Sequence, residues 1–259
     1  MKAGEVLVES FRMLRERPKF VLPMLMPTIL GMGILGLALV AQVPISVVPA
    51  EEAAVSPSWY LPSMLVLSAV VFVIGVLAYG MYPSMVRDRR EGRELNLKES
   101  FHLSYRRFWS LLGASLLVMI IVLAITLVAS FAVVPLAMYG STIAVVAGSV
   151  IEGMVVFLIS ILFYYIPPAI IMDELKAVES IRRSWEIGKR NYLFTLLIIL
   201  VPTLISGILS SILMGLPAAL GSEYALILLI PYAIVSLFIS TWMGIIPCYA
   251  YYGFRAAEG

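Results

Sequence analysis

VESF at residues 8–11, KESF at 98–101 and VESI at 178–181 are three near-copies of one tetrapeptide, each standing shortly before a long apolar run. Glu9-Ser10-Phe11, Glu99-Ser100-Phe101 and Glu179-Ser180-Ile181 recur 90 and 80 residues apart. A second marker has nearly the same period. Pro83, Pro167 and Pro247 sit near the ends of alternate apolar runs, 84 and 80 residues apart, with tyrosines crowded beside them (Tyr79 and Tyr82; Tyr164 and Tyr165; Tyr249, Tyr251 and Tyr252). Two markers that agree in period predict an internal repeat. The repeated unit reads as an amphipathic helix, a span, an outer connection and a second span. The copies cover approximately residues 1–86, 87–170 and 171–259 of a single membrane domain, 1–259. The competing explanation is chance matching in a biased composition.

Of the 259 residues, 61% are hydrophobic and 13% charged, against about 25% charged in soluble domains. Too little polar side chain is available to cover a water-facing surface, so the bilayer is the expected solvent. Six runs meet the length of about 20 apolar residues needed to cross it: roughly 20–43, 59–83, 109–135, 143–168, 192–217 and 224–250. They are continuous rather than alternating, which predicts helices and not strands. Two spans per unit return the chain to the same side, so the copies run parallel. The expected fold is an all-α polytopic bundle of six transmembrane helices, pseudo-threefold about the membrane normal.

All 18 Lys and Arg fall before span one, between spans two and three, between spans four and five, or after span six. The opposite side has only Glu51, Glu52 and Glu223 near its edge. The positive-inside rule then places both termini in the cytoplasm. No cleavable secretory signal is expected, because charge continues to Lys19 and no small-residue cleavage site follows a short apolar core.

The segments before spans one, three and five have helical apolar spacing: Ala3, Leu7, Phe11 and Leu14; Leu97, Phe101 and Phe108; Leu175, Val178, Ile181 and Trp185. Such helices lie flat at an interface with basic residues toward anionic headgroups. Arg17-Pro18 and Gly188 are the expected bends into the membrane. The candidate repeat and partner surface is Glu9, Glu99 and Glu179, Ser10, Ser100 and Ser180, with Arg182, Arg183 and Trp185. The serines lie a turn or more inside their helices, which favours a helix–helix contact over a cap. Seven residues past each motif glutamate stand Glu16, Arg106 and Glu186, either an acid–base ring or three solvated faces.

Ile166–Phe194, IPPAIIMDELKAVESIRRSWEIGKRNYLF, resembles a pattern in a large group of prokaryotic six-span proteins. The group includes the membrane domain fused to some glycerophosphodiester phosphodiesterases and many stand-alone relatives. The matching residues are Pro167, Glu179, Ser180, Arg183, Ser184, Trp185, Lys189 and Asn191; Val178 and Arg190 depart from the group's usual alanine and glycine. The resemblance implies a prokaryotic cell-membrane module. No phosphodiesterase chemistry is expected to carry over, since residues 1–259 read as membrane domain throughout.

One ionisable group stands deep within a span. Glu152 is expected near the midplane, protonated by desolvation or facing a wet cavity, where it would mark a transport path or tie helices together. Alternatively, span four starts later and Glu152 lies near the outer interface. The repeat puts Ser68 and Tyr232 at the same level. Asp173-Glu174 is a candidate cation site or a helix-start charge effect. Cys248 and His102 are the sole residues of their types, so no metal or cofactor site is expected, and the net charge of +2 gives no reason to expect nucleic acid. The leading expectation is a non-enzymatic module that organises lipid or a protein partner through its amphipathic helices. The rivals are a small-solute or proton-linked transporter using Glu152 and a lipid-headgroup-modifying enzyme.

Overall fold

Backbone in hydrocarbon must satisfy its own hydrogen bonds, and the described residues do so with helices and no strand. The computed structural model describes residues 2–42, 60–138, 142–220 and 225–258. In order these form α1 (Ala3–Glu16), a 3₁₀ turn (Pro18–Val21), α2 (Leu22–Gln42), α3 (Tyr60–Arg90), α4 (Leu97–Arg106), α5 (Phe108–Met138), α6 (Thr142–Ser160), a 3₁₀ turn (Ile161–Phe163), α7 (Ile166–Met172), α8 (Ala177–Arg190), α9 (Tyr192–Leu220) and α10 (Ala225–Glu258). Six helical stretches are long and apolar enough to cross a membrane, which makes this an all-α multi-pass membrane protein.

The span starts agree closely with the apolar runs, but α3 and α10 run on to Arg90 and Glu258, beyond the ends expected at 83 and 250. The extensions stay helical because they pack on each other. The Arg90 guanidinium lies 4.3 Å from the Tyr249 ring centroid and 5.4 Å from that of Tyr252, and its Nη1 donates to the Tyr249 hydroxyl at 3.1 Å. Pro83 and Pro247 lie inside these continuous helices. The fourth span differs. Pro167 and Pro168 open α7, and the chain before them tightens into the Ile161–Phe163 turn. Two consecutive prolines remove two N–H donors and crowd the preceding carbonyls, so a regular helix cannot pass.

Ser184 mends that break. Its Oγ donates to the Leu162 carbonyl at 2.8 Å and accepts from the Tyr165 N–H at 3.0 Å. Ser184→Ala is expected to lower stability by about 1 kcal/mol, within the range of polar contacts between membrane helices, read as a lower midpoint of thermal unfolding in detergent. Gly188, expected as a bend, is instead a close approach. A Cβ there would lie 3.0 Å from the Leu162 Cα and 3.1 Å from the Ile161 carbonyl oxygen. The helix continues to Arg190 and breaks at Asn191. The expected bend at Pro18 is present as the 3₁₀ turn.

Consecutive spans pair as α2 with α3, α5 with α6 and α9 with α10. Between pairs, α10 packs on α2 and α3, and α3 packs on α5 and α7. The main core lies at the end where the short helices gather, called here the basic end. Tyr82, Met85, Val86, Tyr165, Ile198, Ile245 and Tyr251 are fully buried there with Val6 and Phe20.

Candidate functional site

The short helices are built from three faces, not two. The buried face of α1 is Val6, Ser10, Met13 and Leu14, so the expected stripe through Phe11 is only partly inward: Ala3 and Leu7 are half-buried, Leu14 is buried and Phe11 is exposed. In α4 the buried face is Ser100 and Ser104; in α8 it is Ser180, Ser184, Ile187 and Gly188. Ser10, Ser100 and Ser180 are each 0% exposed, so they face the bundle and offer nothing to an outside partner. Serine suits this place because it is small and its hydroxyl meets backbone carbonyls: Ser10 donates to Leu7 and Ser180 to Ala177.

The motif glutamates divide. Glu179 lies in the first turn of α8, where its carboxylate accepts the Lys176 N–H at 3.1 Å. Glu99 lies in the first turn of α4, with its own N–H capped by the Asn96 side chain at 3.2 Å. In α1 the chain starts a turn earlier, so Glu5 takes the capping place, accepting from the Lys2 N–H, and Glu9 pairs with Arg12 at 2.7 Å. Arg182 pairs with Glu186 at 3.2 Å and is 84% exposed. Arg183 is half-buried and faces Tyr251. Trp185 is 45% exposed beside Phe163.

Glu16, Arg106 and Glu186 do not pair with one another. Glu16 binds Arg89 at 2.6 Å, Arg106 lies 3.8 Å from Glu174, and Glu186 binds Arg182. Nor does Asp173-Glu174 act as one carboxylate pair. Asp173 accepts the Tyr251 hydroxyl and pairs with Arg255 at 3.2 Å, while Glu174 binds Arg107. Protein cations already neutralise both carboxylates. Among the described residues there is no group of three or more His, Cys, Asp or Glu placed to hold a metal.

Within the spans, Glu152 is half-buried on α6, with Val150 and Ile151 beside it both 63% exposed. Its carboxylate accepts a long hydrogen bond from Ser130 on α5, 3.4 Å. Ser68 is exposed on α3. Tyr232 lies elsewhere, in the wall of a cavity of about 630 Å³ that neither Glu152 nor Ser68 lines. All six spans contribute to this cavity. One wall carries Tyr232, Ser236 and Ser240 of α10 and Ser206 and Ser210 of α9; Thr28 and Ser115 add hydroxyls from α2 and α5. From α3 come the apolar Val71, Phe72 and Val76, with Tyr79. Among the described residues no charged side chain lines the cavity. The sequence reading missed these hydroxyls apart from Tyr232, although their i,i+4 spacing in otherwise apolar spans is a visible signal. Ser104 and Ser184, four residues after the motif serines, were missed as a pair in the same way.

Fold and site together define a six-span α-helical membrane protein with a short-helix layer at its basic end and an uncharged, hydroxyl-walled cavity between its spans. The chain belongs to the DUF7847 family, a domain of unknown function whose pattern matches residues 1–247. No curated protein and no solved structure matches it.

Proposed function

We propose that this chain is a non-enzymatic membrane module that engages anionic lipid at one leaflet through the outer flanks of α1, α4 and α8. The observation that carries this is what remains outside once the serine faces have docked. Phe11, Phe101, Tyr105, Val178 and Trp185, with Trp109 at the head of α5, all stay exposed. Beside them Arg12, Arg15, Lys98, Arg106, Arg182 and Lys189 are exposed too. Aromatic rings suit the headgroup level, and each nearby Lys or Arg contributes about 1 kcal/mol of attraction to an anionic leaflet.

The test is lipid retention. Protein extracted from a mixed phosphatidylglycerol and phosphatidylcholine bilayer is expected to carry phosphatidylglycerol in excess by native mass spectrometry. The Arg15→Glu, Lys98→Glu, Arg182→Glu triple variant is expected to lose that excess several-fold while unfolding at the same temperature. Equal retention of both lipids by the wild type would sink the reading. A protein partner is the competing occupant of these flanks; it would leave lipid retention indifferent to the triple variant. Transport through Glu152 is the competing function, but the cavity does not reach that side chain. Glu152→Gln is therefore expected to leave lipid retention unchanged.

The same proposal includes a cyclic arrangement of three parallel units, each short helix docking on the preceding unit's last span. Three contacts support it. Ser104 of α4 donates to the Leu77 carbonyl at 2.8 Å, Ser184 of α8 does so to Leu162, and the Trp242 Nε1–H of α10 donates to Ser10 of α1 at 2.9 Å. Leu77, Leu162 and Trp242 precede Pro83, Pro167 and Pro247 by six, five and five residues, so the contacts fall at similar levels of the three second spans, although α1 uses its motif serine and α4 and α8 the serine four residues later. The last contact returns the chain to its first helix. With the basic end in the cytoplasm of a prokaryotic cell, this is the plan implied by the resemblance to the six-span group, and that relationship is part of the proposal. An impermeant thiol reagent is expected to reach Glu51→Cys and Arg182→Cys from opposite sides of the membrane.

A further inference from the structure

We infer that the cavity between the spans is a binding site for an uncharged polyol group, presented as the headgroup of a neutral single-chain lipid of the monoacylglycerol class. This site is separate from the basic end and does not depend on how that end works. Among the described residues, Thr28, Ser115, Ser206, Ser210, Ser236 and Ser240 all line the cavity, and none has a hydrogen-bond partner within the protein. Serine and threonine in a membrane helix ordinarily turn back to a carbonyl of the preceding turn, as Ser160 does to Val156 at 2.8 Å. Six hydroxyls that forgo this and face one space need polar atoms in that space.

The occupant's chemistry follows from the walls. Among the described residues no Asp, Glu, Lys, Arg or His lines the cavity, so a charged headgroup would meet no counter-charge from them, whereas a polyol both donates and accepts, as the serines do. Tyr232, Ser236 and Ser240 follow each other at i,i+4 along one face of α10, a ladder about 12 Å long at 1.5 Å per residue. The apolar Val71, Phe72 and Val76 of α3 in the same lining suit an alkyl chain. The volume of about 630 Å³ corresponds to roughly twenty water-sized groups at about 30 Å³ each, the size of a glycerol headgroup with a medium-length chain. A second cavity of about 280 Å³ adjoins the first, sharing Tyr79, Pro167 and Met243, and is mostly apolar, with Val118 and Phe163 in its walls.

Protein in phosphatidylcholine nanodiscs is titrated with radiolabelled 1-monomyristoylglycerol, with myristate and with free glycerol. Saturable binding of the monoacylglycerol, at least tenfold tighter than myristate, is expected. Ser236→Ala with Ser240→Ala should weaken it tenfold or more. Gly75 gives a second variant. It lines the cavity, and a Cβ built there meets nothing within 4 Å, so Gly75→Leu is expected to fill the space and abolish binding without lowering the unfolding temperature. Saturation by free glycerol at equal affinity would assign the same hydroxyl chemistry to a soluble polyol instead of a lipid. Myristate binding as tightly as the monoacylglycerol, no saturable binding of any probe, or binding indifferent to both variants would overturn the inference and leave a cavity that holds water. These outcomes leave the phosphatidylglycerol preference at the basic end untouched, so either idea fails without the other.

Discussion

Trp242→Ala is expected to release α1 from the bundle and to cost about 3–5 kcal/mol, the range for deleting a buried aromatic side chain. Trp242 is 9% exposed, meets Phe11 edge-on at 5.6 Å, and gives its indole N–H to Ser10. It is the largest side chain joining the first helix to the last, residues 232 positions apart. The loss reads out as a fall in the midpoint of thermal unfolding and as new tryptic cleavage at Arg12 and Arg15. Trp242→Phe keeps most of the packing but removes the donor, and about 1 kcal/mol is expected for that alone. If α1 stays protease-resistant in the alanine variant, its anchor lies elsewhere and the cyclic arrangement loses its closing contact.

The second large effect is steric. A Cβ on Gly244 would stand 2.5 Å from Cδ2 and 2.6 Å from Cε2 of the Tyr82 ring. Tyr82 is 0% exposed, so its ring has no free space to swing into. Gly244→Val is therefore expected to push α10 and α3 apart at a cost of about 3 kcal/mol, the upper part of the overpacking range. Gly207 is the control, since a Cβ there meets nothing within 4 Å; Gly207→Val should change the unfolding midpoint little. Pairing Gly244→Val with Tyr82→Ala should recover part of the loss, because the two side chains then share one space, and the double-mutant cycle measures the coupling. Additive losses would show that the helix contact is not what the glycine protects.

Both effects are centred on the part of the protein that hydropathy describes least well. The six spans could be read because a helix in lipid needs a continuous apolar run, and that property is local. Where the helices stop was less legible. The tails of α3 and α10 carry arginines that look like the end of a span, yet Arg90 lies against Tyr249 and Tyr252 and the helix continues. The motif serines were legible as helix contacts because a serine a full turn inside a helix has no cap to make. The contacts of Ser104 and Ser184, one turn further on, were not, since the Leu77 and Leu162 carbonyls they meet belong to backbone that any sequence supplies.

What the sequence determined by itself is the all-helical, six-span plan, the gathering of every basic residue on the same set of connections, and the short helices that precede alternate spans. These depend on period, length and charge, which are properties of neighbours along the chain. Tertiary structure alone decided the rest: which face of each short helix is buried, that Asp173 and Glu174 are neutralised by different arginines, that Glu152 stands apart from Tyr232, and that serines from separate spans share one cavity. Those outcomes depend on the rotation of each helix about its own axis. Lipid solvates apolar side chains on every side of a span, so hydrophobicity leaves that rotation open, and close packing at small residues such as Gly188 and Gly244 selects it.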